Sequence, residues 1–178
     1  YLDWCLATYP LTAGQGVPVQ GSIGFDATIT SLFSPLLAGQ TLLFNLGITE
    51  IEAIQAALTL GVSLIKLTPA HLRALEPLLL AQSAETFPVE QLPKAWVIGG
   101  EALHGHHISF WQKHFPTVAL FNEYGPTEAT VGCCVYRVNA SDDGSIPIGR
   151  PINGAQLYVL DEYLAPVPVG VSGELYIG

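Results

Sequence analysis

The chain has 178 residues, of which 49% are hydrophobic and only 12% are charged, and its formal net charge is −9. This length suits one ordinary domain or part of a larger one. Six Lys and Arg residues against 15 acidic ones leave no basic stripe, so we expect no nucleic-acid partner. The longest uncharged stretch, 27–49, is broken by Pro, Gly and polar residues, so we expect no membrane span.

The predicted secondary structure alternates between helices and strands in the first two thirds of the chain. Leu2, Cys5 and Leu6 have helical spacing. Apolar spacing and start signals, such as Thr49 as a cap and Pro69 in a first turn, predict helices over 30–38, 49–60, 69–82 and 103–114. Apolar runs predict strands over 41–44, 62–67, 95–98 and 117–121. This order predicts an open, mostly parallel α/β sheet flanked by helices.

From about residue 130 the pattern changes to alternating segments that contain Gly and Pro and no helix-length stretch. We therefore expect a β-rich segment, with a surface loop over 139–145. The predicted boundary separates an α/β subdomain, 1–137, from the start of a β-rich subdomain, 138–178. Because both ends interrupt apparent elements and the composition is apolar, we expect the chain to be a fragment.

Two groups of residues invite a metal-binding interpretation. They are Cys5, Cys133 and Cys134, and His104, His106 and His107. The cysteines are odd in number and lack metal-ligand spacing, so we expect small buried side chains in a reducing cytosol. The histidines could bind a metal, but their place in EALHGHHISFWQKHF favours a solvated helix start. No secretion signal is apparent, so we expect a cytoplasmic protein.

Polar residues and glycines lie near the carboxyl ends of the predicted strands. These stretches are Asp26 after GSIGF, Lys66 in VSLIKL, 99–101 after AWVI, and 122–124 after TVALF. In open α/β sheets, ligands bind in the crevice outside those strand ends. The sequence therefore predicts that four separate stretches meet at one binding site.

Each of these residues also has a structural alternative. Asp26 could cap the helix that follows it. Lys66, between apolar neighbours, must extend to solvent, pair with an acid or lose its proton. Gly99 and Gly100 could form an ordinary strand-to-helix turn, and Glu128 could favour the first turn of a helix.

Several motifs together resemble the adenylation domains of nonribosomal peptide synthetases. They are FDAT (25–28), GGEAL (99–103), NEYGPTE (122–128), IGRPINGAQLYVLD (148–161) and GELYIG (173–178). The similarity runs in register over essentially the whole chain, and NEYGPTE is its most specific motif. These domains belong to the adenylate-forming superfamily, with acyl-CoA synthetases and luciferase. The resemblance implies part of the large N-terminal core of that fold.

The resemblance also implies a reaction and a nucleotide site. An amino acid and ATP would give aminoacyl-AMP and pyrophosphate, and the acyl group would pass to the phosphopantetheine thiol of a carrier protein. Tyr124 would stack on adenine, Thr127 would bond the α-phosphate and Glu128 would hold Mg²⁺, so Thr127 and Glu128 are the expected catalytic residues. The implied nucleotide-binding residues are Gly99, Gly100, Glu101, Asn122, Tyr124, Gly125 and Thr127.

The same resemblance implies a pocket for the amino acid. Its lining would be Asp26, Ala27, Thr30, Lys66, Val97, Gly99, Glu123, Val131 and Gly132. Asp26 would bind the α-ammonium group, which leaves Lys66 and Glu123 for the side chain. A carboxamide between these two satisfies both, because its oxygen accepts from the ammonium and its NH₂ donates to the carboxylate. The combination also resembles the family's pattern for asparagine. We therefore predict L-asparagine, followed by glutamine and aspartate.

Two other functions fit parts of the sequence. One is an acyl- or aryl-acid ligase of the same superfamily, against which Asp26 and the pair of Lys66 and Glu123 argue. The other is a non-catalytic module that docks to neighbouring synthetase domains, which the apolar composition would allow. On the main interpretation, the partners are ATP, the amino acid, and the peptidyl carrier and condensation domains of the same synthetase.

The resemblance implies that the phosphate loop lies before Tyr1, and that the ribose-binding aspartate and the distal lysine lie after Gly178. We therefore expect these 178 residues alone to catalyse negligible ATP–pyrophosphate exchange, with the longer enzyme as the positive control. Robust exchange by the isolated segment would contradict this expectation.

Overall fold

The computed structural model describes residues 1–44, 49–81 and 88–178. In chain order, its helices and strands are α1 (Leu2–Thr8), β1 (Val17–Pro18), α2 (Thr28–Leu37), β2 (Leu42–Leu43), α3 (Glu50–Ala57), β3 (Leu64–Leu67), α4 (Pro69–Leu80), β4 (Ala95–Gly99), α5 (Gly105–His114), β5 (Ala119–Tyr124), β6 (Cys134–Arg137), β7 (Arg150–Pro151), β8 (Leu157–Leu160) and β9 (Glu174–Ile177). Short 3₁₀ turns occupy Val89–Gln91 and Thr127–Ala129.

The central sheet has the strand order β3-β4-β5-β6-β7. Its first three strands are parallel, and β6 and β7 are added antiparallel. β1 pairs with β2 in parallel, and β8 pairs with β9 antiparallel. The predicted α/β architecture is confirmed, and the sheet is mixed because the chain reverses after β5.

Local start signals account for where the helices begin. Thr49 and Glu52 form a reciprocal capping box before α3, and Thr68 caps α4 with Pro69 as its first residue. α5 begins at Gly105 after His104, two residues later than the predicted start at 103. α3 ends at Ala57 rather than at residue 60, and α4 ends at Leu80; residue 82, the predicted end of that helix, lies outside the described residues.

β5 extends three residues beyond its predicted end at residue 121. Asn122, Glu123 and Tyr124 do not follow the strand but form the last half of β5. They do so because β6 supplies an antiparallel partner, with Glu123 opposite Val135 and Tyr124 opposite Cys134. The two-residue strand β1 was not predicted, since two residues carry no measurable alternation.

The two faces of the sheet pack against different helices. Trp96, Ile98 and their neighbours form one core with α3, α4 and α5. Val97 and Phe121 belong to a second core, which includes residues of α1, and α2 packs beside α1 and β3. Because side chains alternate along a strand, Lys66, which alternates with Ile65 of the first core, lies on the α1–α2 face.

The carboxyl-terminal part is β-rich, as predicted, with no α-helix over 130–178. β7 belongs to the predicted second subdomain yet joins the central sheet, and the boundary near residue 138 stays a prediction. Cys5, Cys133 and Cys134 are buried free thiols. Within the described residues, each helix is too short or too polar to cross a bilayer.

Two leucines of α4 provide a matched test of the larger core. Leu72 is fully buried, whereas Leu80 is 63% exposed. We expect Leu72→Ala to lower the free energy of unfolding by about 2–5 kcal/mol and Leu80→Ala to change it by less than about 0.5 kcal/mol. Urea denaturation of a soluble form of the protein measures both. Equal losses would show that α4 does not pack through Leu72.

Candidate functional site

A buried ion pair joins two strands on the α1–α2 face of the sheet. Lys66 of β3 is in register with Val97 of β4, and Glu123 of β5 is in register with Gly99. The Lys66 ammonium contacts Glu123 Oε1, and the two side chains are 11% and 1% exposed. Gly99 places no side chain between them. The lysine therefore pairs with an acid instead of extending to solvent.

Two tyrosine hydroxyls also bind the Glu123 carboxylate. Tyr9 donates to Oε2 at 2.5 Å, and the Tyr1 hydroxyl lies 3.2 Å from Oε1 and 3.1 Å from Oε2. Tyr1 also shares a 2.6 Å hydrogen bond with Thr30 of α2. Sequence reasoning missed both tyrosines. A buried tyrosine needs a hydroxyl partner, but a partner more than 110 residues away leaves no local signal.

Burial and the negative charge of Glu123 change the acid–base behaviour of neighbouring groups. Both causes, with burial the larger, raise the pKa of Tyr1 and of Tyr9 well above the usual range. The hydroxyls therefore stay protonated hydrogen-bond donors. The same two causes raise the pKa of Cys5 to about 11, so this thiol remains protonated and is a poor nucleophile.

The end of β3 is held by the segment that follows β1. Gln20 Nε2 donates to the backbone carbonyl of Lys66 at 2.6 Å. Its buried Oε1 has no hydrogen-bond partner among the described residues. The contact fixes the backbone from which the lysine side chain starts.

The loop between β5 and β6 closes against Glu123. A Cβ at Gly132 would lie 2.3 Å from Cδ of Glu123, and a Cβ at Gly125 would lie 2.8 Å from the Val131 carbonyl oxygen. Thr130 and Val131 have φ values of 67° and 41°, which are unfavourable for β-branched residues. Strained, tightly packed backbone of this kind is common at ligand sites. Gly132 thus packs against Glu123, and the assignment of Val131 and Gly132 to a substrate pocket stays a prediction.

Asp26 and Ala27 lie at the start of α2, one turn before Thr30. The Asp26 carbonyl accepts from Ile29 N at 2.8 Å, but no side chain caps this helix, whose N-cap is Ala27. The capping alternative for Asp26 is therefore wrong. Within the described part of the chain, its carboxylate makes no hydrogen bond and no ion pair, and it does not contact Lys66 or Glu123.

Two of the predicted nucleotide-binding side chains are engaged elsewhere. Asn122 is 3% exposed, and its amide donates to the carbonyls of Pro147 and Ile146 at 2.8 and 3.3 Å. Glu101 accepts from Ala70 N at 3.2 Å and pairs with Arg73, which stabilises the start of α4. These contacts connect the strand ends to the segment at 146–147 and to the start of α4.

Gly99 is buried and Gly125 is partly exposed, whereas the side chains predicted for adenine, phosphate and metal are accessible. Tyr124 is 38% exposed, and Thr127 and Glu128 are exposed in the 3₁₀ turn that follows. Over the described ranges, none of the three side chains has a hydrogen bond or ion pair. Gly100 has φ +83°, where any other residue would be strained. This edge can therefore accept a ligand without breaking existing contacts.

The histidine cluster belongs to the first turn of α5 and not to the strand ends. His107 Nδ1 accepts from the His104 backbone N–H at 3.2 Å, and its Nε2 lies 3.1 Å from Arg73. Burial, then the nearby charges of His106 and Arg73, lower the pKa of His107. The ring is thereby kept neutral and able to accept hydrogen bonds.

The half-exposed ion pair of Arg73 and Glu101 serves as a control for the energetic role of the buried pair of Lys66 and Glu123. Glu123→Gln should lower the free energy of unfolding by about 3–5 kcal/mol, since it leaves a buried ammonium uncompensated. Glu101→Gln, at the half-exposed pair with Arg73, should cost no more than about 1 kcal/mol. Denaturant unfolding compares them, and the double variant Lys66→Met/Glu123→Gln should recover part of the loss. Similar costs for both single variants would show that the pair is not desolvated.

Comparison with known proteins connects this geometry to a family. A sequence model described as AMP-binding enzyme matches residues 5–178. The chain is 37% identical to a segment of tyrocidine synthase 3 of Brevibacillus parabrevis and 33% identical to a segment of bacitracin synthase 3 of Bacillus licheniformis. Each match covers 99% of this chain and 3% of the relative.

The fold is also similar to a solved structure. That structure is an NRPS protein containing adenylation and PCP domains, bound to a vinylsulfonamide inhibitor. It superposes with a TM-score of 0.75 at 24% identity over 92% of this chain and 28% of its own length. Over residues 5–178, the chain belongs to the family of AMP-binding enzymes.

Proposed function

We propose that this chain is part of an adenylation domain that joins L-asparagine to ATP, giving asparaginyl-AMP and pyrophosphate. The asparaginyl group then passes to the phosphopantetheine thiol of a carrier domain. Membership of the AMP-binding family and the likeness to the two peptide synthases support the reaction class. The choice of asparagine rests on the hydrogen-bond capacity of one buried pair.

That capacity can be counted. An ammonium has three N–H donors and a carboxylate has about four acceptor positions. Lys66 donates one hydrogen bond to Glu123. Glu123 also accepts hydrogen bonds from the hydroxyls of Tyr9 and Tyr1. This leaves donors on Lys66 and about one acceptor position on Glu123. A side-chain amide offers a matching oxygen and a matching N–H.

The pair is in direct contact, which differs from the predicted arrangement with the amide group between the two charges. An amide can instead bond to the free sides of Lys66 and Glu123 while their mutual contact persists. An aspartate side chain brings a second carboxylate next to Glu123 and cannot donate to it. An apolar side chain leaves the remaining donors of Lys66 unpaired and desolvated.

Asp26 supplies the second part of amino-acid recognition. Its carboxylate has no charged partner in the described ranges and lies one helical turn before Thr30, which reaches the site through Tyr1. A charge-assisted bond to the α-ammonium contributes roughly 1.5–3 kcal/mol. Substrates without an amine leave this carboxylate unpaired, which discriminates against simple acyl and aryl acids.

The nucleotide would lie along the accessible edge formed by Tyr124, Thr127 and Glu128. The exposed tyrosine ring offers a flat surface for adenine, and the threonine hydroxyl can donate to the α-phosphate. The exposed Glu128 carboxylate provides the hard oxygen ligands that Mg²⁺ prefers, and the ion neutralises phosphate charge when bound. The asparagine carboxylate oxygen attacks the α-phosphorus, and pyrophosphate leaves.

The proposal can be tested by ATP–pyrophosphate exchange with the longer enzyme and each of the twenty amino acids. We expect asparagine to give the strongest exchange, followed by glutamine or aspartate. Asp26→Ala should reduce kcat/KM for asparagine by about 10- to 100-fold or more. Asp3→Ala, at an exposed site in α1, should leave it unchanged.

Two results would contradict the proposal. The strongest exchange with a hydrophobic amino acid would refute the pocket assignment. Activation of an acid without an amine, unaffected by Asp26→Ala, would indicate an acyl- or aryl-acid ligase.

A further inference from the structure

Two tyrosines of the segment that contains α1 meet the side chain proposed to select the substrate. Tyr9 is 4% exposed. Its ring lies edge-on between Trp4 and Phe121, with centroid distances of 5.2 Å to each. Packing on both sides therefore fixes where its hydroxyl lies, 2.5 Å from Glu123 Oε2.

Tyr1 adds a link to α2. Its hydroxyl lies within 3.2 Å of both carboxylate oxygens of Glu123 and 2.6 Å from Thr30 Oγ1. Thr30 is fully buried. The tyrosine thus connects β5 to α2, the helix that Asp26 and Ala27 directly precede.

The two hydroxyls restrict how Glu123 can meet Lys66. A free carboxylate beside an ammonium can rotate to place both oxygens against it. In the structure, Lys66 contacts only Oε1, while Oε2 is held by Tyr9. Lys66 therefore keeps donors for another acceptor, and Glu123 keeps a defined acceptor position.

We propose that Tyr1 and Tyr9 are specificity-determining positioning residues, which hold the Glu123 carboxylate as the acceptor for the substrate's side-chain NH₂ and so favour asparagine over aspartate. This inference rests on the proposed function. It assigns a part in substrate selection to the two residues that flank α1, neither of which is a predicted pocket residue. Because burial keeps both hydroxyls protonated, they act as neutral donors and bring no charge of their own.

The variants Tyr9→Phe and Tyr1→Phe remove only hydroxyl groups and keep the ring packing. In the longer enzyme, Tyr9→Phe should lower the ratio of kcat/KM for asparagine to that for aspartate by about 10-fold. The change should lie mainly in the KM for asparagine, with the KM for ATP unchanged. Tyr1→Phe, whose contacts are longer, should act in the same direction with a smaller change.

Tyr158→Phe is the matched control. Its exposed hydroxyl donates to Gln156, and Tyr158 belongs to the separate sheet of β8 and β9, so the ratio should not change. If circular dichroism shows that Tyr9→Phe does not fold, the ratio of kcat/KM for asparagine to that for aspartate in Tyr1→Phe decides the question.

The outcomes separate the inference from the proposed function. If the unaltered enzyme prefers asparagine but the tyrosine variants lose activity equally for asparagine and aspartate, the inference is overturned and the function stands. If the unaltered enzyme does not prefer asparagine, the function is overturned and the inference falls with it. A reduced ratio in Tyr9→Phe and Tyr1→Phe, but not in Tyr158→Phe, supports both.

Discussion

The arrangement of this chain depends on the removal of the Lys66 and Glu123 charges from water. Desolvating two ions costs several kcal/mol each, and their mutual attraction offsets this only if the remaining donors and acceptors are also matched. The structure supplies that match for Glu123 from distant parts of the chain, through Tyr1 and Tyr9, while Gln20 binds the backbone carbonyl of Lys66. The pair therefore determines which segments must meet on this face of the sheet.

Glycines allow the segments around Glu123 to approach one another without steric clash. A Cβ at Gly99 would lie 2.7 Å from the backbone oxygen of Glu123, and Gly132 lets the loop after β5 approach the Glu123 carboxylate. The same loop carries the left-handed Val131. Small residues and strained backbone thus occur where several elements converge on one buried carboxylate.

Local chemistry was enough to predict that helices alternate with short apolar strands, but not that the strand over 42–43 pairs with β1 outside the central sheet. Thr49 and Pro69 determine helix starts through contacts within one turn, so their signals are complete in the sequence. Asn122 shows the limit, because its place inside β5 depends on an antiparallel partner that arrives 14 residues later. Its buried amide binds backbone carbonyls near residue 147, a contact that no short pattern encodes.

The candidate site was predictable in its residue types and less so in its contacts. Lys66 was identified because an unpaired cation among apolar neighbours is costly, and the pocket implied by the family resemblance placed Glu123 with it. The tyrosines on Glu123 could not be found in this way. No sequence pattern distinguishes these two tyrosines from others. Their hydroxyls meet Glu123 only because the segment that contains α1 packs against the sheet.

The separation of the sheet into two faces has a consequence for how such a protein can diversify. The tryptophan-rich packing of Trp96 and Trp111 lies on the side away from the ion pair. Exchanges at positions 66 and 123 therefore leave the packing of that opposite layer in place. On the proposed function, the side chains that select the substrate and the side chains that pack the larger core occupy alternate positions of the same strands.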